Sequence, residues 1–317
     1  MLQNYIKAAR LRTLPLSVSG IIVGSALGAG DNFSVLSEKY LDSTICIGYE
    51  YFFQSPIFWL AILTTIGFQV LSNFANDYGD GIKGTDANRT GEARMVATGA
   101  ISPAQMKKAM IVTTIVTLIV AITLIYVAFG KDNFLYSVVF FFLGIASIAA
   151  AIKYTVGKSA YGYNGLGDVF VFLFFGLLSV VGSYFLFTKE VNFLIFLPAF
   201  TVGCLSTAVL NLNNMRDRQN DQKAGKSTIV VKVGAVRAKY YHYFLIVSSI
   251  LFSLVFSLFN LEKPFQFLFI IAYIPLFRHL FFVVKNTEEA KLDGQLKIVA
   301  LSTFLFSLLF GIGQVIL

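Results

Sequence analysis

Two stretches of this 317-residue chain carry acids and amides at spacings suited to holding a divalent cation. The first contains Asn73, Asn76, Asp77, Asp80, Lys83, Gly84 and Asp86; the second contains Asn213, Asn214, Arg216, Asp217, Asp221, Lys223, Gly225 and Lys226. The offset between them is nearly constant: Asn73 to Asn213 and Asp77 to Asp217 are 140 residues apart, Asp80 to Asp221 and Gly84 to Gly225 are 141. Gly99-Ala100-Ile101 and Gly234-Ala235-Val236 extend the match. A lone aspartate at a helix end is ordinarily a solvated or capping residue, but two clusters in register need another explanation. On helices, Asn73, Asp77 and Asp80 share a face, as do Asn213, Asp217 and Asp221, so each set offers several oxygens to one point. Hard oxygen donors suit Mg²⁺, which completes its shell with phosphate oxygens. Two facing carboxylate clusters repel unless cations lie between them, and a pair of Mg²⁺ ions bridged by a diphosphate meets that need. Lys83, Arg89 and Arg94 follow the first cluster and Lys223 and Lys226 the second, within reach of phosphate oxygens, with Asn73, Asn76 and Asn213 as further polar contacts. Lys83, Lys223 and Arg94 read equally well as the topological charges of a membrane protein.

The elements that position these residues are hydrophobic. The chain is 56% hydrophobic and only 13% charged, with a mean hydropathy of +0.73, against about 25% charged in an ordinary soluble domain. Runs nearly free of charge predict nine membrane spans at residues 14–30, 56–75, 109–130, 134–152, 169–188, 191–215, 240–261, 265–284 and 298–317. These runs lack the alternation of barrel strands, so the expected fold is an all-α integral membrane bundle. Lys7, Arg10 and Arg12 precede the first span as they would a signal peptide, but with eight spans following it reads as a retained helix. The chain reads as a single domain, residues 1–317, built from two similar four-helix units (about 1–152 and 153–284) plus a ninth helix at 298–317. Twenty Lys and Arg residues fall before span 1 and after spans 2, 4, 6 and 8, against four on the other side. The positive-inside rule then places the N-terminus and both acidic clusters at the cytoplasm and the C-terminus outside. The formal charge of +8 is accounted for by this bias and requires no nucleic acid. Cys46 and Cys204 are too far apart in unlike surroundings to suggest a disulfide framework or a metal site.

The two polar loops expected at the cytoplasm, 76–108 and 214–239, are where a site belongs. A water-soluble diphosphate would need no such bundle, whereas a polyprenyl diphosphate has a charged head for the loops and a hydrocarbon tail for the membrane. The acidic clusters, Ala8 to Pro15 entering span 1, and Tyr154 to Lys158 continuing through Gly162 to Asp168 resemble the UbiA superfamily of intramembrane aromatic prenyltransferases. Lys83-Gly84-Thr85-Asp86 and the 154–168 segment are similar to its dihydroxynaphthoate-using branch of menaquinone biosynthesis. The resemblance implies Mg²⁺-dependent transfer of a polyprenyl group to 1,4-dihydroxy-2-naphthoate, with loss of diphosphate and carbon dioxide. It implies Asp77, Asp80, Asp86, Asp217 and Asp221 as metal ligands, Asp77 either directly or through water. Gly84 stands where the superfamily has its third acid, and Asp86 takes that role in this branch.

For the aromatic acceptor, Tyr154, Tyr161 and Tyr163 are candidates to orient or stack on the ring, Lys158, Arg10 and Arg12 to meet its carboxylate, and Asp168 to orient a hydroxyl or act as a base. The tyrosines also fit an interfacial aromatic belt, Arg10 and Arg12 membrane anchors, and Asp168 a helix cap. His242 and His279 read as interfacial or packing residues, with no partner at metal-ligand spacing. Other acceptors, 4-hydroxybenzoate or homogentisate, are alternatives within the superfamily. A transporter is the alternative from another class, since Pro198 and Pro275 fall within spans, but carriers place polar groups at the bilayer midplane and here nearly all charge is at one end.

Overall fold

In the computed structural model, residues 1–39, 52–84, 94–157, 160–261 and 264–315 are described, for 33–39 the backbone only. The described residues form helices and turns without strands, and nine helices are long and apolar enough to cross a membrane. The chain is thus a multi-pass membrane protein. A short helix, α1 (Leu2–Ala9), ends where Arg10 turns left-handed at φ 49°. It is followed by α2 (Leu14–Lys39), α3 (Pro56–Lys83), α4 (Pro103–Phe129), α5 (Phe134–Lys153), α6 (Gly167–Thr188), α7 (Phe196–Lys223), α8 (Ile229–Phe259), α9 (Pro264–Lys285) and α10 (Asp293–Val315).

Local chemistry sets the ends. Pro56 starts α3, and Pro103 starts α4 behind a reciprocal Ser102–Gln105 capping box. Gly84 closes α3 at φ 70° and Gly225 follows α7 at φ 72°, a backbone region that costs glycine little. Both acidic clusters therefore lie on helices. α3 and α7 run on through Lys83 and Lys223, where the sequence suggested loops from 76 and 214. Polar side chains end a hydrophobic run without ending a helix.

The helices α2, α7 and α10 form the middle of the bundle, with α4 and α5 at its periphery. α2 packs on α6 along Gly20, Gly24 and Gly28. A Cβ at Gly20 would fall 1.8 Å from Ser179 Oγ, and one at Gly24 would fall 2.1 Å from the Val180 carbonyl oxygen. Only hydrogen fits there, and small residues at every fourth position let the backbones approach. α6 meets α7 the same way, Gly176 in a π-helical stretch of α6, Phe172–Leu178, lying against Gly203 of α7. With α6 clamped between α2 and α7, the space left open lies toward α3, α4 and α5, and it forms the cavity of the site.

Candidate active site

The cavity, of about 940 Å³, is polar where α3 and α7 end and apolar beyond. Gln69, Ser72, Asn76 and Asp80 line it from α3, and Asn213, Asp217, Asn220 and Asp221 from α7. Asp80 and Asp221 meet through Lys226, whose Nζ is 3.7 Å from an oxygen of each carboxylate. Asp80 also accepts from the Tyr163 hydroxyl at 2.6 Å and from Arg94 Nη2 at 3.4 Å. The two clusters that the sequence placed in register thus converge on one cation, here an ammonium.

The face of α3 divides, however. Successive helix positions turn by 100°, so Asp77 and Asp80 point about 60° apart. Asp80 looks into the cavity. Asp77 looks away, and its two oxygens accept from the backbone N–H groups of Met95 (2.9 Å) and Val96 (2.8 Å). Asn73 likewise turns to α1, donating to the Ala9 carbonyl (2.9 Å) and the Thr13 hydroxyl (3.1 Å). Neither lines the cavity. Asp77, expected among the metal ligands, holds the 95–96 turn against α3. Asp77→Asn leaves one of these buried donors without a carboxylate oxygen and is expected to cost about 1–3 kcal/mol of stability. A lowered melting temperature with an unchanged Mg²⁺ requirement is the expected result; a raised requirement at unchanged stability would return Asp77 to the ligands.

Arg216 was named in the second cluster but given no role, because it lies among residues that read as topological charge. It is buried, and its guanidinium forks onto the adjacent Asp217, with Nε to Oδ1 at 2.8 Å and Nη2 to Oδ2 at 2.6 Å. Nη2 also donates to Asn213 (2.8 Å) and Nη1 to Asp293 (2.6 Å) at the start of α10. Planar two-point pairing of this kind fixes the carboxylate's orientation. Asp293 and Gln69 were also missed; a polar residue isolated in sequence gives no signal until the fold brings it to a cavity.

Of the basic residues expected at the site, Lys226, Arg94, Arg10 and Arg12 line the cavity, and Lys297, for which the sequence suggested no role, lines it too. Lys83 does not: its Nζ donates to the Thr155 carbonyl (2.9 Å) and sits 3.9 Å from the Tyr163 ring centroid. Lys223 is exposed and away from the cavity. Asp86, Arg89 and Lys158 lie outside the described residues.

The 154–168 segment supplies an aromatic shelf. Tyr154, Tyr161 and Tyr163 all line the cavity, with Tyr154 edge-on to Tyr161 and Tyr161 stacked on Phe170 at 3.9 Å. Burial, with Asp168 nearby, pushes the Tyr154 hydroxyl up, so it remains a neutral hydrogen-bond donor at physiological pH. Thr155 ties the segment to α3, its hydroxyl donating to the Ala75 carbonyl (3.0 Å) and Asn76 (3.1 Å). Asp168, expected to orient the acceptor or act as a base, is buried behind the shelf. It does not line the cavity, and the Tyr241 side chain on α8 is its partner. His242 and His279, read as interfacial or packing residues, are buried and pair with each other: Nε2 to Nε2 is 2.7 Å, and His279 Nδ1 is 2.8 Å from Gln295 Oε1.

The donor set fits Mg²⁺. Among the described residues no group of three or more His, Cys, Asp or Glu side chains is placed to hold a metal by itself. Mg²⁺ does not need one, since it is usually bound through one or two carboxylates plus substrate phosphates. Asp80 and Asp221, which flank the Lys226 ammonium, supply that pair.

Compared with known proteins, residues 43–308 match the model of the UbiA prenyltransferase family. The chain is 38% identical to the 1,4-dihydroxy-2-naphthoate octaprenyltransferase of Haemophilus influenzae, over 99% of this chain and 96% of that one. It is 36% identical to the protein of the same name from Escherichia coli, over 98% and 94% of the two chains. The solved structure of a UbiA homologue from Archaeoglobus fulgidus bound to GPP and Mg²⁺ shares the fold, with a TM-score of 0.62 at 16% identity over 98% of this chain and 99% of that one.

Proposed function

Because the chain belongs to the UbiA prenyltransferase family, we propose that it transfers a polyprenyl group from polyprenyl diphosphate to 1,4-dihydroxy-2-naphthoate, releasing diphosphate and carbon dioxide. The observation that carries this reading is the convergence of Asp80 and Asp221 on Lys226 at the mouth of an apolar cavity. A charged head and a long hydrocarbon tail are the two ends of one substrate that such a cavity suits. The relatives named for this reaction cover nearly the whole chain.

In this mechanism Asp80, Asp217 and Asp221 would hold Mg²⁺, two ions by our reading, with Asp86 as a further ligand by its place in the sequence motif. Bound Mg²⁺ neutralises the diphosphate and makes it a better leaving group. Lys226 and Arg94 contact phosphate oxygens directly, Arg89 joins them, and Asn76 and Asn213 complete the polar wall. The C–O bond of the allylic diphosphate breaks, and its electron pair leaves with the phosphate. Tyr154, Tyr161 and Tyr163 shelter the resulting cation from water and orient the acceptor ring, whose carboxylate faces Arg10, Arg12 and Lys158. The electron-rich ring forms the new C–C bond, and departure of carbon dioxide restores its aromaticity. With the basic residues concentrated at this end, the site faces the cytoplasm of a bacterial inner membrane.

The test is incubation of the purified protein with polyprenyl diphosphate, Mg²⁺ and, separately, dihydroxynaphthoate, 4-hydroxybenzoate or homogentisate, followed by detection of prenylated product. Product from dihydroxynaphthoate is expected, lost on chelation with EDTA and restored by Mg²⁺. Product from hydroxybenzoate alone would overturn the acceptor, and undiminished activity under exhaustive chelation would overturn the metal.

A further inference from the structure

The chain enters α2 through a strained turn. Arg10 takes φ 49° and ψ 60°, the left-handed region where a Cβ crowds the backbone and where helices usually end on glycine or asparagine. Among the described residues only Lys189 shares a positive φ without being glycine. Such a conformation persists where its surroundings over-determine it, and here they do. The Thr13 hydroxyl donates to the Arg10 carbonyl at 3.0 Å and accepts from Asn73 Nδ2 at 3.1 Å and Gln69 Nε2 at 3.2 Å. Asn73 Nδ2 also donates to the Ala9 carbonyl at 2.9 Å, and Asn73 Oδ1 accepts from Gln69 Nε2 at 3.4 Å. The one hydroxyl hydrogen, both hydroxyl lone pairs and both hydrogens of each amide are then all in use. This closed network grips the residue before Arg10 and the third residue after it, so the turn between them is held in one shape. Arg10, Arg12, Thr13 and Gln69 line the cavity, whereas Asn73 is 3% exposed and does not. A membrane anchor needs a positive charge but no particular backbone. The register partner of Asn73 also serves an arginine, since Asn213 accepts from Arg216 Nη2 at 2.8 Å.

We propose that Asn73, Gln69 and Thr13 clamp the Arg10–Arg12 turn so that its guanidinium groups select acceptors bearing a carboxylate, Asn73 acting as a positioning residue that touches no substrate. The inference rests on the acceptor site of the prenyl-transfer reading and adds the residues that make that site discriminate. A guanidinium meets a carboxylate through two parallel N–H···O bonds, and this pairing is specific only when the fork is held in the plane of its partner. A diphosphate offers similar anionic oxygens, but the clamp grips α3 well short of the acids that bind it. At 1.5 Å per residue, Asn73 and Gln69 lie about 10 Å and about 16 Å along the helix axis from Asp80. The turn therefore serves the anion of the second substrate.

The test is calorimetric binding, which needs no turnover. Purified wild type, Arg10→Gly and Asn73→Leu are titrated with 1-hydroxy-2-naphthoate, with 1-naphthol, which lacks the carboxylate, and separately with inorganic diphosphate and Mg²⁺. Arg10→Gly removes the guanidinium and suits the left-handed backbone, so the turn is kept. Asn73→Leu keeps the bulk and removes both donors. Wild type is expected to prefer the naphthoate. That preference should fall about 10- to 100-fold in Arg10→Gly, the range of one charge-assisted hydrogen bond, and at least about threefold in Asn73→Leu, where the guanidinium remains but is no longer aimed. Diphosphate affinity should stay as in wild type. Equal binding of the two naphthalenes by wild type would overturn the proposal, as would an undiminished preference in either variant, or a fall in diphosphate affinity as large as that for the naphthoate. If Asn73→Leu does not fold, Thr13→Val and Thr13→Ser replace it: valine should lose the preference and serine keep it, and equal behaviour of the two would overturn the clamp. All three candidate acceptors carry a carboxylate, so prenylation of 4-hydroxybenzoate or homogentisate alone would correct the acceptor assignment, and the same ratio read with 4-hydroxybenzoate against phenol would still decide the clamp.

Discussion

Asp80→Ala and Asp221→Ala are each expected to lower prenyl transfer by about 10²- to 10³-fold, the usual cost of removing one preorganised contact to a developing charge. Both act on the same group, because their carboxylates face one another across a single ammonium. Neither change should unfold the protein. Losing Asp221 leaves Lys226 paired with Asp80; losing Asp80 leaves it paired with Asp221 but also removes the 3.4 Å ion pair of the buried Arg94, so the larger fall in melting temperature is expected for Asp80→Ala. The measurement is product formation over a range of Mg²⁺ concentrations, alongside thermal unfolding in detergent. Wild-type rates in both variants would refute the metal reading, whereas loss of activity together with a large fall in melting temperature would recast these acids as structural.

Arg216→Ala is expected to be more damaging to the fold. It removes the buried partner of Asp217 and Asn213 and the cross-link to α10, and breaking a buried pair typically costs about 3–5 kcal/mol. Arg216→Lys separates folding from positioning. It keeps the positive charge but cannot fork onto both oxygens of Asp217, so about 2 kcal/mol of charge-assisted bonding is lost, roughly thirtyfold if it all falls on the reacting complex. The expected outcome is a folded protein with reduced turnover. Asp293→Asn should do much less, since the Asp293 side chain is 54% exposed and an ion pair with one wet partner contributes at most about 1 kcal/mol. Full activity in Arg216→Lys would show that Asp217 needs a counter-charge but no fixed orientation.

Much of this was legible in the sequence. All nine spans could be placed from charge-free runs, because a bilayer admits few ways to satisfy a backbone. The constant offset of the aspartates announced that two distant segments meet, and Asp80, Asp221 and Lys226 do meet. What the spacing left undecided was finer than one helical turn. Asp77 and Asp80 belong to one motif and one broad face, yet 60° of rotation sends one to the turn at Met95 and the other to the cavity. Asp168 was read by its company in a tyrosine-rich segment, but the start of α6 turns it toward Tyr241. Arg216 was hidden by its abundance class, one cation among many on the basic side. His242 and His279, 37 residues apart, become neighbours only when α8 lies against α9.

The glycine seam between α2 and α6 has a consequence for how such a molecule can diversify. Because Gly20 and Gly24 already stand in contact with backbone and hydroxyl atoms, that side tolerates no enlargement, and saturation mutagenesis there should return almost only small residues. Variation that reshapes the interior must then be carried by the peripheral pair, α4 and α5, where a changed residue disturbs lipid more than protein. One flank behaves as a keel and the opposite flank as an adjustable panel, so paralogues accepting different donors should diverge mainly on the panel.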